Sequence, residues 1–314
     1  MNSERSFKIA IYSFLFIIIL NFILPRMMRG NPIAYLTGMD EASLSVAQYE
    51  YYEKALHLDK NIFIQFLYYL KSLVDGTLGY SFKKQSYVAP LVLSRLRVTL
   101  LLVLPSAILA AVLGLVLGLR GAYNKNKYLE RTLTPVMVIL NAIPLFLLSL
   151  LLIMTLSFSY KLFPYSGLGT GFLDRVYHLV LPVSAITLAL LPSRYLLVRN
   201  MGCERAKSKS VLYASQRGLR ATTIRYSYIL PEIISAYITN VGLSIGSGIA
   251  GSVIVEKIFS INGMGSLLNE AIFTLDYPLL QGILFITTLA MLIAVGLTNI
   301  FSFLIDPRER RRNA

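Results

Sequence analysis

Six runs of apolar residues alternate with polar stretches along this chain of 314 residues. The runs cover approximately 7–25, 98–119, 133–158, 178–193, 232–255 and 280–304. Each is close to the ~20 residues that an α-helix needs to cross a bilayer. The pattern therefore predicts an all-α integral membrane protein with six transmembrane helices. A Pro-Arg-Met-Met-Arg sequence follows the first run where a signal peptide would have a small-x-small cleavage site, so we interpret this run as a retained helix.

The long polar stretch 26–94 separates the first two runs. Ser45 and Gln48 have the spacing of a capping box at a helix N-terminus. Beyond Asp59, apolar residues recur at helical spacing until Gly76. We expect two amphipathic helices here, packed on the membrane or on other loops. The predicted organisation is a tail with the first helix (1–25), a helical extracytoplasmic insertion (26–94), a five-helix core (95–305) and a basic tail (306–314).

Charge is distributed unevenly between the polar segments. Only 15% of the residues are charged, below the ~25% of soluble domains, yet the net charge is +14. If the N-terminus is cytoplasmic, 18 of the 30 lysines and arginines lie on that side, and most of the others fall in the long loop 26–97. Long loops contribute little to the positive-inside rule. We therefore expect both termini in the cytoplasm, with the excess charge indicating membrane topology rather than nucleic-acid binding.

Residues that carry chemistry are sparse. The single cysteine, Cys203, excludes an intrachain disulfide, and His57 and His178 are too distant in sequence to form a metal-site pattern with it. The GSGIAG sequence at 246–251 matches a dinucleotide fingerprint, but it lies inside an apolar run rather than between a strand and a helix. The chain has no P-loop and no catalytic triad or paired-carboxylate pattern. We expect a chain that is not an enzyme and holds no cofactor or metal.

Small and polar residues within the apolar runs are candidates for helix packing or a pore. Gly242, Gly246 and Ala250 recur at steps of four, a spacing that lets another helix approach closely. Asn141 is among the most polar residues at depth, and Pro144 predicts either an ordinary kink or a hinge. No charged residue lies near the centre of a run, where ion-coupled carriers usually place one. A secondary carrier or pore that works without an ATPase is the alternative to an ATP-driven machine.

The segment 194–231 is strongly basic, with eight lysines or arginines and one acid, Glu204. We expect Gly218 to break it into two short helices, the second running into Pro231. A polar helix–glycine–helix element held at the cytoplasmic side of a membrane is suited to binding a soluble partner protein. The alternative is a solvated loop whose charge only follows membrane topology.

This segment resembles the EAA loop of ABC-importer permeases. That loop has Glu-Ala-Ala, three residues, glycine, nine residues and then Ile-x-Leu-Pro. The positions that match are Ala214, Gly218, Leu230 and Pro231. The positions that depart, where the loop has glutamate, alanine and isoleucine, are Leu212, Tyr213 and Tyr228.

Further segments resemble the B-type permease of the dipeptide, oligopeptide and nickel ABC-importer family. They follow the family order along nearly the whole chain, and Thr77 stands where the family has aspartate. These segments are Gly30-Asn31-Pro32, 56–60, 65–66, 76–81, 142–146, 256–260, 263–265, Asp276-Tyr277-Pro278, 281–282 and Asp306-Pro307-Arg308.

The resemblance implies a type I ABC-importer permease fold in a prokaryotic plasma (inner) membrane. Such a permease forms half of a translocation pathway for peptides, nickel or a metal–chelator complex and works by alternating access. Implied partners, besides membrane lipid, are a second homologous permease, two cytoplasmic ATPase subunits that bind ATP and Mg²⁺, and an extracytoplasmic binding protein. A sensor that does not transport is a further alternative. The resemblance assigns ATPase coupling to Tyr213, Ala214, Ser215, Gln216, Arg217, Gly218, Leu219 and Arg220.

Overall fold

A computed structural model describes residues 3–28, 30–37, 44–123 and 128–305, and almost all of its regular structure is helical. The elements, in chain order, are α1 (Ser3–Arg26), α2 (Pro32–Thr37), α3 (Val46–Ala55), α4 (Ile62–Val74), β1 (Tyr80–Ser81), β2 (Ser86–Tyr87), α5 (Val88–Ala122), α6 (Tyr128–Ala142), α7 (Leu145–Leu152), a π-helical turn (Ile153–Ser159), α8 (Phe172–Ala206), α9 (Lys209–Gln216), α10 (Ala221–Thr223), a second π-helical segment (Ile224–Ile229), α11 (Leu230–Gly251), α12 (Val253–Ile258), α13 (Met264–Phe273) and α14 (Tyr277–Ile305). The predicted tail 306–314 lies outside the described residues.

Four of the described helices are long and apolar enough to cross a membrane. They are α5, α8, α14 and the continuous helix Ala221–Gly246. The pair α6 and α7 counts as a fifth if its two arms form one span. These helices correspond to five of the six predicted runs. The first run lies in α1, where Phe14–Arg26 is a shorter apolar helix, so a sixth span stays a prediction.

The third predicted run is broken at Pro144. Its two arms, Glu130–Ala142 and Leu145–Ser159, meet at 103°. Pro144 has an extended backbone (φ −61°, ψ 146°) at the N-cap of α7. Proline also disfavours helical backbone at the residue before it, so α6 ends there. In contrast, Pro182 and Pro192 lie inside the uninterrupted α8.

The chain divides into two compact units. The first contains residues up to Val98 together with Asn262–Leu289, and the second contains Thr99–Ile261 together with the chain from Ala290 onward. In the first unit, Leu78 and Val88 from the predicted insertion share an apolar cluster with Met264 and Leu279. The insertion therefore packs with a segment almost two hundred residues further along the chain.

The insertion contains both predicted helices. The backbone N–H of Gln48 donates to Ser45 Oγ (3.3 Å), and the Gln48 side chain accepts from the Ser45 N–H (3.2 Å), which confirms the capping box of α3. α4 begins after Asn61, whose Oδ1 accepts from the Ile64 N–H (2.9 Å). Gly76 follows α4 with a φ of +70°. The pattern did not predict the short antiparallel hairpin of β1 and β2.

In the second unit, small residues bring long helices together. A Cβ atom at Gly118 of α5 would lie 2.7 Å from the Cβ of Val198, and one at Gly114 would overlap the Cβ of Arg194. Contacts this short do not occur between real side chains, so glycine allows α5 and α8 to pack backbone to backbone.

Candidate functional site

The residues predicted to couple to an ATPase, Tyr213–Arg220, lie in Lys209–Arg220, which is called the coupling segment below and consists of α9 and a glycine turn. The N–H groups of Gly218 and Leu219 donate to the carbonyls of Ser215 (3.0 Å) and Ala214 (3.2 Å). This pair of bonds is the Schellman arrangement, which closes the C-terminus of a helix. Gly218 has a φ of +75°, and a Cβ atom there would have no neighbour within 4 Å. Glycine is favoured by the left-handed backbone rather than by lack of space, and it ends α9 as predicted.

Apolar residues hold one face of the coupling segment against the helices of the second unit. Val211 and Ala214 are each 2% exposed and lie in a cluster with Leu119 of α5 and Val198 of α8. Leu219, just after the glycine, packs against the same cluster. The turn is therefore attached to two long helices by side chains on both sides of Gly218.

The opposite face of the coupling segment is exposed. Tyr213 is 61% exposed and its neighbour Leu212 is 54% exposed. An aromatic ring, an apolar side chain and positive charge together suit a contact with another protein rather than solvent alone. The other exposed members are Lys209, Ser210, Ser215, Gln216, Arg217, Gly218 and Arg220.

The chain after the coupling segment remains helical through Pro231. The prediction was a short second helix that runs into this proline, but the helix runs on from Ala221 to Gly246. Its π-helical segment, Ile224–Ile229, lies immediately before Pro231. Proline has no N–H to donate, and in an α-helix its ring clashes with the carbonyl one turn earlier. A π-helical turn before the proline displaces those carbonyls, so the helix can continue. The coupling segment therefore leads directly into a membrane-length helix.

Two charged side chains of the second unit are buried among its helices. Arg194 of α8 is 4% exposed and its Nη1 donates to Asn240 Oδ1 of α11. Glu256 of α12 is fully buried, and its Oε1 accepts from Thr99 Oγ1 (2.6 Å) and Ser252 Oγ (3.0 Å). The sequence placed Arg194 in the basic segment and Glu256 in a family-like segment, but it did not predict their burial, because each stands at the edge of an apolar run, where charge is common.

The packing and pore candidates lie in two different settings. A Cβ atom at Gly242 would overlap the Thr298 side chain of α14, and one at Gly246 would lie 2.6 Å from Met291 Cγ. These two glycines therefore permit close packing of α11 and α14. Asn141 and Pro144 are exposed beside the 103° bend. The side chain of Ala250 lies outside the described residues, and the roles of all five stay predictions.

Two family-like segments meet in the first unit at Asp276. Ser81 Oγ donates to Asp276 Oδ2 (2.5 Å), and the Leu279 N–H donates to Asp276 Oδ1 (3.1 Å). Asp276 therefore caps the start of α14 while it holds the turn that contains Ser81. Burial raises the pKa of the Asp276 carboxyl, and the hydrogen bond from Ser81 opposes that rise. Gly79 lies close by, since a Cβ atom there would be 3.1 Å from Pro278 Cβ.

Together, the membrane-length helices and an exposed helix–glycine–helix segment are typical of a multi-pass membrane permease. Residues 110–311 match the family model described as "Binding-protein-dependent transport system inner membrane component". The chain belongs to this family. The predicted class of protein and its membrane location are thereby confirmed.

Similar proteins extend the match beyond that region. The oligopeptide transport system permease protein of Bacillus subtilis (strain 168) is 30% identical over 298 residues, 93% of each chain. The dipeptide transport system permease protein of the same strain is 30% identical over 290 residues, covering 92% of this chain and 91% of its own length. The nickel import system permease protein of Staphylococcus aureus (strain USA300) is 25% identical over 291 residues, covering 93% and 86%.

Proposed function

We propose that this chain forms half of the translocation pathway of an ATP-driven peptide importer that works by alternating access. A second homologous permease supplies the other half, two cytoplasmic ATPase subunits bind ATP and Mg²⁺, and an extracytoplasmic binding protein delivers the peptide. Both termini lie in the cytoplasm. The relatives named for oligopeptide and dipeptide transport support a peptide substrate, whereas the less similar nickel permease keeps nickel or a metal–chelator complex as the second substrate class.

The coupling segment is the observation that carries this proposal. Its exposed face, with Tyr213 and Arg217, offers the ATPase a contact surface, and Val211 and Ala214 anchor the segment to the bundle. A conformational change needs contacts that differ between two states. The cycle provides them if closure of the ATPase dimer around ATP moves the two coupling segments toward each other.

The helix that follows offers a route for that movement. The coupling segment is joined at Arg220 to the helix Ala221–Gly246, so a displacement of the segment acts on a membrane-length helix. The bond between Arg194 and Asn240 connects that helix to α8. We propose that these helices tilt together and open the pathway to the extracytoplasmic side.

The test is Gly218→Asp in the assembled transporter. A non-glycine residue at φ +75° strains the turn by about 1 kcal/mol and adds a negative charge to the exposed face. We expect normal membrane insertion and continued ATP hydrolysis, with uptake lost. Gly167→Asp is the matched control, because Gly167 has a φ of +84° and equally open surroundings. Normal uptake by the Gly218 variant would show that the segment does not couple.

The extracytoplasmic insertion is proposed to receive the binding protein. Within it, Tyr51 and Phe63 are 64% and 65% exposed, and exposed aromatic rings often anchor protein interfaces. Phe63→Arg should reduce stimulation of the ATPase by loaded binding protein, whereas Lys54→Arg, a conservative change at another exposed position, should not. Deletion of 45–74 is a less specific test, since Tyr69 is part of a buried cluster. Full stimulation in both Phe63→Arg and the deletion would exclude this role.

A further inference from the structure

A cavity of about 310 Å³ lies in the first unit, next to α4, the β1–β2 hairpin and the start of α14. A second, more open cavity of about 460 Å³ adjoins it, and the two share Arg26, Gln65 and Tyr277 as lining residues. Packed amino-acid residues occupy on the order of 100–200 Å³ each, so the first cavity has room for one or two of them. The coupling segment and the helix packing described above use none of these residues.

Arg26 presents a fixed guanidinium to both cavities. Its Nε and Nη2 donate to Gln65 Oε1 (3.1 and 2.9 Å), and its Nη1 donates to the Phe22 carbonyl (2.9 Å). The guanidinium also lies over the Phe22 ring, 3.7 Å from the ring centroid. Since a guanidinium has five N–H donors, these bonds orient the group and leave two donors for a ligand. Paired N–H groups of this kind match the geometry of a carboxylate.

Tyr69, which also lines the cavity, supplies a second donor. Its side chain is 6% exposed, and its hydroxyl has no hydrogen-bond partner among the described residues. An unpaired buried hydroxyl is unfavourable, and a bound acceptor would remove that penalty. The Tyr69 ring packs on Phe22, 5.8 Å between centroids, and Phe22 is also the ring over which the Arg26 guanidinium lies. Burial raises the pKa of Tyr69 to about 12, which keeps the hydroxyl protonated as a donor.

Several aromatic side chains also line the cavity. The rings of His57 and Tyr68 stack with 3.8 Å between their centroids, and Tyr80 and Phe82 form an edge-to-face pair. Among the described lining residues, Lys71 adds a second positive charge and Asp75 is the one acid. The lining of the cavity therefore combines positive charge and hydrogen-bond donors with aromatic surface.

We propose that this cavity binds the carboxy-terminal residue of a short peptide, with the carboxylate at Arg26 and Tyr69 and the side chain against the His57–Tyr68 stack. The inference rests on the proposed peptide-import function and makes it more specific. It predicts that the permease itself distinguishes a free peptide carboxylate from a blocked one, in the absence of the binding protein.

The test uses the full chain in lipid nanodiscs, without ATPase or binding protein. Calorimetric titration compares the dipeptide Ala-Phe with its C-terminal amide. We expect the free acid to bind saturably and the amide to bind about tenfold more weakly, because amidation removes a charge-assisted hydrogen bond. Tyr69→Phe should weaken the acid about five- to tenfold and the amide by a smaller factor, because the hydrogen bond to a neutral amide oxygen is weaker. Tyr87→Phe, at an exposed position that does not line the cavity, is the matched control.

Three results would overturn the inference: no binding of the acid, equal affinity for acid and amide, or an unchanged affinity in Tyr69→Phe. The acid–amide comparison uses the unmodified chain, so it decides the question even if Tyr69→Phe fails to fold. Peptide uptake by the assembled transporter is measured separately. If uptake persists while the acid and the amide bind equally, the proposed role of the cavity is rejected and the importer function stands. Loss of ATP-driven uptake when this chain is deleted from an otherwise intact system supports the importer function independently.

Discussion

The coupling segment of the second unit and the Ser81–Asp276 pair of the first unit use polar residues in opposite ways. At Asp276 the polar groups are buried and bonded to one another, so they determine which segments pack together. In the coupling segment the buried residues are apolar, and the polar residues of Ser215–Arg217 face outward. Both regions resemble the same family, yet the first arrangement is suited to holding a fold and the second to contacting a partner.

The difference determines whether a substitution in each region is best tested by stability or by transport. A change to a buried polar pair alters stability, because an unpaired donor or acceptor remains inside the protein. A change on an exposed face alters stability little and reports on the partner instead. The predictions that follow test this contrast, in order of decreasing effect on stability.

Ala214→Asp should be the most damaging change. Ala214 is 2% exposed within the apolar anchor, and a carboxylate there would be buried without a partner. We expect a loss of at least about 3 kcal/mol in the free energy of unfolding. Ser215→Asp, on the exposed neighbour, should stay within about 0.5 kcal/mol. Thermal unfolding in detergent measures both, and equal losses would contradict the division into an anchor and a free face.

Asp276→Ala should have an intermediate effect. It removes the cap of α14 and the acceptor for Ser81, and we expect a loss of about 1–3 kcal/mol in unfolding free energy. Asp276→Asn keeps an oxygen for the Leu279 N–H and should lose less. If the alanine and asparagine variants are equally stable, the hydrogen bonds do not hold this pair of segments together.

The change in stability with pH that Asp276 causes should be smaller than the loss in Asp276→Ala, and the raised pKa determines its sign. Burial raises the pKa of this carboxyl, so the folded state holds the proton more tightly than the unfolded chain does. The contribution of Asp276 to stability is then largest below the ordinary pKa of about 3.9 and falls as pH rises through the raised value. The melting temperature of the wild type, relative to Asp276→Asn, should fall over that window. A relative gain with rising pH would reverse the assignment.

Tyr213→Ala should affect stability least while impairing transport. Its ring is 61% exposed, so the expected change in unfolding free energy is within about 0.5 kcal/mol. Uptake should fall while membrane insertion and the ATPase activity of the complex remain. Leu173→Ala, at an exposed position in α8, is the control for removal of a large exposed side chain. Uptake at the wild-type level in Tyr213→Ala would exclude this ring from the partner contact.

Local patterns predicted much of the helical structure. The spacing of Ser45 and Gln48 indicated the start of α3, and Gly218 was expected to end a short helix. Apolar runs of membrane length indicated five of the segments that the structure forms as long or bent helices. Each of these features depends on residues within a few turns of one another, which is why a single sequence contains enough information for them.

The pattern was insufficient wherever neighbours distant in sequence decide the outcome. Ser81 and Asp276 are 195 residues apart, and Thr99 and Glu256 are 157 apart. Nothing local indicates that these side chains meet. The same limit applies to the cavity at Arg26, whose walls come from α1, the insertion and the start of α14.

By itself, the sequence determined that this protein is a helical membrane permease and where most of its helices run. It also determined that Gly218 ends α9. These properties follow from apolar length, capping and backbone preference, which act over a few residues. Only the tertiary structure decided that the helix continues through Pro231, that the third run bends by 103°, and that Arg194 and Glu256 are buried. The burial of Arg194 and Glu256 depends on packing and hydrogen bonds between distant segments, because a buried polar group takes whichever partner the fold brings to it.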